Sequence, residues 1–111
     1  MSEEALWTVE FETASGWTNG GVVVLETGRV YGGDSHYYYV GKYSYGQPIV
    51  AEVRVTHYHG QPGTAWGDAA TSFNVVLRGT IAADRKQIDG IIERQGFPSP
   101  RFRMVKKELL P

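Results

Sequence analysis

The chain has no cysteine, which excludes disulfides, thiol catalysis and thiolate-ligated zinc. It also has no excess of charge of either sign. Lys and Arg number 11 against 12 Asp and Glu, for a net charge of −1, so no global field recruits nucleic acid or an anionic membrane surface. Long hydrophobic runs are missing too: none approaches the ~20 residues a membrane-spanning helix needs. The start, Met-Ser-Glu-Glu-Ala-Leu, carries neither the basic region nor the apolar stretch of a signal peptide, and the expected compartment is the cytoplasm. What the chain has instead is glycine, at 14 positions, and aromatics at 13% with seven tyrosines and three tryptophans. That balance suits strands, cavities and interfaces better than a helical bundle. At 111 residues it predicts one domain, spanning residues 1–111, with a core that needs no covalent staple.

Two-residue periodicity recurs along the whole chain. Leu6 to Glu12 alternates, with Trp7, Val9 and Phe11 on one face and Thr8, Glu10 and Glu12 on the other. Ser15 to Gly21 reads as turn-rich, and Val22 to Leu25 as a short buried run closed by Thr27-Gly28. Arg29 to Tyr31 and Tyr37 to Tyr43 read as strands on either side of a tight Gly32-Gly33-Asp34 turn. Ile49 to Tyr58 is the longest strand, with Ile49, Ala51, Val53, Val55 and His57 facing one way. Residues 59–71, rich in Gly and Pro, carry no period and predict a loop. Alternation resumes at Phe73, Val75 and Leu77, and returns at Phe102 and Met104. Asp84 to Gln95 also admits a helix, but Gly90 in its middle costs about 1 kcal/mol against Ala, and strand is the reading adopted. Eight short strands joined by tight turns predict an all-β fold, an antiparallel up-and-down barrel. Eight strands enclose an interior that is either filled by side chains or holds one small ligand.

Reactive constellations are few. His57-Tyr58-His59 sets two imidazoles at i and i+2, on the same face of a strand. A metal would need a third ligand: Gly60-Gln-Pro-Gly-Thr-Ala-Trp-Gly supplies none, and His36 or Asp34 would have to fold back to provide one. Ser35 and His36 are adjacent and would point to opposite faces of a strand. Neither Asn19-Gly20-Gly21 nor Gly32-Gly33 leads into a Lys-Ser/Thr or a helix start, so neither is a phosphate loop. Catalysis, a cofactor and a metal are therefore not expected. The basic group Arg101, Arg103, Lys106 and Lys107 fits the solvated face of a strand alternating with Phe102 and Met104. Trp66 is the unusual aromatic: a large ring on a Gly/Ala/Pro loop tucks into a barrel mouth, a ligand or a partner.

The run Gly20-Gly-Val-Val-Val-Leu-Glu-Thr-Gly-Arg-Val-Tyr-Gly-Gly-Asp-Ser-His-Tyr-Tyr-Tyr-Val-Gly-Lys-Tyr43 resembles the GrlR-like proteins, negative regulators of type III secretion genes. The shared features are a Gly-apolar strand, Gly-x-apolar-x-Gly-Gly-Asp and Tyr-x-Gly, followed by an alternating strand such as Val53-Arg-Val-Thr-His-Tyr58. The resemblance implies a lipocalin-like barrel of eight strands with an apolar interior, a loop plugging one side, and a homodimer. It also implies control by binding an activator protein and not DNA. The family's acidic surface run falls at Tyr45-Gly46-Gln47-Pro48 here, where there is no acid.

Two functions follow as expectations. One is a non-catalytic, homodimeric regulator that binds another protein, such as a transcriptional activator. The other is a carrier or sensor of a small apolar ligand held inside the barrel. The expected contacts are Trp66 and Tyr39, with Val53, Val55 and His57 on the longest strand and Phe73, Val75 and Leu77 on the next. Val50, Tyr38, Val40 and Val76 would then face outward as an apolar patch for dimerisation.

Overall fold

The alternating segments become eight strands in a computed structural model that describes residues 4–111; the acidic start at Met1 to Glu3 lies outside them. The strands are β1 (Ala5–Thr13), β2 (Gly16–Glu26), β3 (Arg29–Gly33), β4 (Tyr37–Ser44), β5 (Ile49–His57), β6 (Ser72–Ile81), β7 (Gln87–Glu93) and β8 (Arg101–Leu109). Each pairs antiparallel with the next in sequence, and β1 pairs with β8 to close the barrel. The fold is thus an all-β, up-and-down, lipocalin-like barrel with a loop plugging one end. Closure removes the sheet's edges: an open sheet would leave two rows of unpaired backbone groups.

The period-2 reading assigns inside and outside correctly over most of the barrel. Trp7, Val9, Ile49, Val53, Val55, Ile88, Ile92, Phe102 and Met104 are buried. Ile91, one step out of phase with Ile92, is exposed. Gly90 sits opposite Gly79 within paired strands, which settles residues 87–93 as β7 and not helix.

Three local expectations are corrected. First, Gly16 to Gly21 is not a turn but the start of β2, paired with β1 across a register shift at Val9/Glu10. Second, Val22 to Leu25 is not wholly buried: it alternates, with Val23 and Leu25 inside and Val22 exposed. Third, Gly32 and Gly33 end β3, opposite Tyr39 and Tyr38, and the turn is made by residues 34–36. Gly32 is needed there for space. A Cβ on it would lie 2.3 Å from the Val22 carbonyl oxygen. The tight two-residue turn is instead Thr27-Gly28, with φ of 51° and 78°, the left-handed pair a type I′ hairpin requires. Thr27 is a poor residue for that conformation, and its N–H is held by Glu4 Oε2 at 2.9 Å.

The two ends of the barrel differ. At one end the connections are 27–28, 45–48 and 82–86. The last two are joined by Gln47, whose amide donates to the Ile81 carbonyl at 3.0 Å and accepts from the Ile81 N–H at 3.2 Å. Tyr45 adds a hydroxyl donated to Glu4 at 3.3 Å. Tyr45 to Pro48, the stretch without acid, therefore closes this end. The opposite end carries the turns 14–15 and 34–36 and the long loops 58–71 and 94–100. The most fully buried large side chains, Trp7, Val9, Ile88 and Phe102, belong to β1, β7 and β8. That wall is the most tightly packed, and the space inside is lined by residues of every strand, Val9, Ile88 and Phe102 among them.

Candidate functional site

Inside the barrel is a cavity of about 130 Å³. Tyr39, Val53, Val55, Phe73, Val75 and Leu77 line it, and Trp66 reaches it from the loop above. His57, expected among these contacts, does not line it. β5 ends at His57, whose Nε2 lies 2.7 Å from the Gly60 carbonyl oxygen and whose ring packs edge-on to Tyr37 at 5.4 Å. His57 therefore shapes the first bend of the plugging loop. His59 lies beyond the strand, its ring 6.3 Å from that of His36. Among the described residues no group of three or more His, Cys, Asp or Glu could hold a metal ion.

The loop 58–71 is pinned on two sides. Toward β3 and β4, the Tyr58 N–H donates to the His36 carbonyl at 2.8 Å and the Tyr58 hydroxyl donates to the Asp34 carbonyl at 2.5 Å. Toward β7 and β8, Trp66 donates its indole N–H to the Pro98 carbonyl at 2.7 Å. Asp68 there receives both arms of the Arg94 guanidinium, at 2.8 and 2.9 Å. Arg94 is nearly buried, its side chain 9% exposed. Its guanidinium lies 3.9 Å from the centre of the Phe97 ring, 4.2 Å from Phe73 and 5.1 Å from Trp66. A cation that has lost its water is held here by ring faces and one bidentate carboxylate. The Arg94 hydrogen bonds, and then the Thr64 hydroxyl, hold the Asp68 carboxyl well below the usual carboxylate range.

Beneath the loop, the cavity has one polar corner. Asp34 Oδ1 accepts the backbone N–H groups of His36 and Tyr37 at 2.8 and 2.7 Å, which is why the chain turns there. Asp34 Oδ2 accepts the Tyr39 hydroxyl. Burial first, and then the bond to Asp34, push the Tyr39 phenol far above its usual range. At the opposite end of the cavity Tyr43 shows the same direction, from burial and then its contact with Tyr45. Both phenols stay neutral, and Asp34 is the one Asp, Glu, Lys, Arg or His among the residues that line the cavity.

The sequence reading missed Asp34 as a wall of the site and missed the Arg94–Asp68 pair altogether. The first reads in the sequence as a turn residue or a remote third metal ligand, not as a cavity wall. The second joins positions 26 apart on separate loops, and nothing in the spacing of either loop signals it.

The outer surface holds the second expected feature. Tyr38 and Val40 are exposed, at 45% and 47%, and Val50 and Val76 are half-buried. Val40 sits directly across from Tyr31, which is 43% exposed. The C-terminal basic strand faces outward as well. Arg101 pairs with Glu12 at 2.7 Å and Arg103 with Asp89 at 3.0 Å, and both guanidinium groups lie over Trp17.

Fold and cavity together define a small up-and-down barrel with a mainly apolar interior beneath a tethered loop. No family model and no curated protein matches the chain.

Proposed function

We propose that the protein is a binding module, not an enzyme, and that it takes up one compact, mainly apolar molecule inside the barrel. The observation that carries this reading is the cavity of about 130 Å³ under the Trp66 loop. An engineered protein cavity of ~150 Å³ with a similar apolar lining stays dry and admits benzene. An interior packed to ordinary density would leave no such space. Small pockets of this kind take their affinity from apolar walls and their orientation from a few placed polar groups, here Asp34 and Tyr39.

The test is titration with toluene, followed by tryptophan fluorescence because Trp66 borders the cavity. Saturable binding to the wild type is expected, and its loss in Ala51→Leu, which extends a side chain into the same space. Absence of saturable binding, or binding indifferent to Ala51→Leu, overturns the reading.

A second reading is the homodimeric, GrlR-like regulator that controls an activator protein by binding it. Its support is the sequence resemblance and the outer face where Tyr31 and Val40 meet across paired strands, with Tyr38 beside them. Sedimentation of the wild type against Val40→Glu tests the dimer. A wild type that stays monomeric at tens of micromolar counts against it.

A further inference from the structure

The polar corner of the cavity narrows the chemistry of what can bind, on the premise that the cavity is a ligand site. Five lining side chains carry hydrogen-bond donors: Tyr37, Tyr39, Tyr43, Thr64 and Trp66. All five are committed. The Tyr37 hydroxyl donates to the Ala70 carbonyl at 2.8 Å, and the Tyr43 hydroxyl is directed at Tyr45 at 3.4 Å. Tyr39 donates to Asp34, Thr64 donates to Asp68, and the Trp66 indole donates to Pro98. A ligand carbonyl or carboxylate therefore meets no uncommitted side-chain donor.

Acceptor capacity is the reverse case. A carboxylate offers about four acceptor positions. Asp34 uses two on Oδ1, for His36 and Tyr37, and one on Oδ2, for Tyr39. One remains on Oδ2, on a residue that lines the cavity. No Lys, Arg or His lines it, and the nearby Arg94 is already paired with Asp68. A ligand anion would face the Asp34 carboxylate in an apolar enclosure with nothing to neutralise it.

We propose that the ligand is a compact neutral molecule with an apolar body and a single hydrogen-bond donor, seated with that donor on Asp34 Oδ2 and its body pointing toward Tyr43 and Ile49. Phenols, indoles and small alcohols have this form, whereas fatty acids and aromatic carboxylates do not.

Matched probes test this by calorimetry: p-cresol against toluene, indole against indene, and benzoate as the anion. In a purely apolar cavity the hydroxyl of p-cresol is a penalty, because its lost hydration is not replaced. A hydrogen bond to a charged acceptor contributes about 1.5–3 kcal/mol net, so the expected preference for the donor-bearing member is roughly ten- to a hundredfold. Asp34→Asn should remove that preference, and Tyr39→Phe, which spares the turn, should keep or enlarge it.

Equal affinity for p-cresol and toluene, or benzoate binding as well as p-cresol does, overturns the donor inference while the cavity reading stands. Failure of every probe overturns both. The wild-type comparison decides the matter even if Asp34→Asn does not fold.

Discussion

Replacing Trp66 with alanine tests whether the loop 58–71 is a plug held from outside or a piece of the core. The indole is half-buried and stands edge-on to Phe73 at 5.8 Å, with Phe97 at 6.0 Å. A tryptophan offers about 200 Å² to burial, so half of it at about 25 cal/mol per Å² is worth roughly 2.5 kcal/mol. The indole N–H to the Pro98 carbonyl adds about 1 kcal/mol. The total, about 3–4 kcal/mol, is large beside the 5–15 kcal/mol that holds a typical domain folded. These contacts nonetheless all lie at one end of the barrel, and no barrel strand pairing depends on them. The loss should therefore appear as local opening. Amide hydrogen exchange resolves the two cases. The Thr64 and Gly67 N–H groups, bonded within the loop to Asp68 and Thr64, should exchange a few hundredfold faster, since each ~1.4 kcal/mol is a factor of ten. The amides of β1, β7 and β8 should keep most of their protection. Equal loss of protection in loop and strands would refute the reasoning, because it would make Trp66 part of the cooperative core.

Two predictions concern pH. Tyr39 and Tyr43 ionise far less readily folded than unfolded, chiefly through burial. The unfolded chain therefore loses these protons first, and stability should fall as pH rises past about 10; urea unfolding at pH 8 and 11 measures it, and Tyr39→Phe should flatten part of the decline. Asp68 has the opposite sign, its carboxyl held low by Arg94. The wild type's advantage over Asp68→Asn should be constant above about pH 5 and shrink as pH falls through the ordinary carboxylate range and below, as read by thermal melts across pH 2–7.

Much of the barrel was legible because an up-and-down order makes local pattern and global fold agree. Neighbours in sequence are neighbours in the sheet, so each alternating run could be assigned without knowing any distant partner. That is why Trp7, Val9, Val53, Val75 and Phe102 were placed facing inward from period alone. Errors came where two effects compete for the same residue type. Gly32 looked like a turn former, but its role is to let β2 approach, a demand visible only once Val22 stands opposite it. Gly16 to Gly21 looked like a turn for the same reason and is strand. For the site, the apolar walls were legible and the polar corner was not. Asp34 reads as a turn residue on either account, and its second role depends on Tyr39 reaching back to it from β4. Asp68 lies in a stretch without period and Arg94 just past the end of β7, within the run read as strand, so only the folded geometry pairs them.

The closing seam between β1 and β8 sets an order of events during synthesis. Residues near position 5 must wait for residues near position 109 before Ala5 can pair with Leu109, and contacts so distant in sequence are the slow ones to form. Chains emerge N-terminal end first, at about 5–20 residues per second. Until β8 is released, Trp7 and Val9 have no outer neighbour, and the interior is an open trough with no enclosed volume. A guest that requires the enclosure can therefore associate only with chains whose final strand has been delivered, and occupancy would serve as a check that closure has taken place.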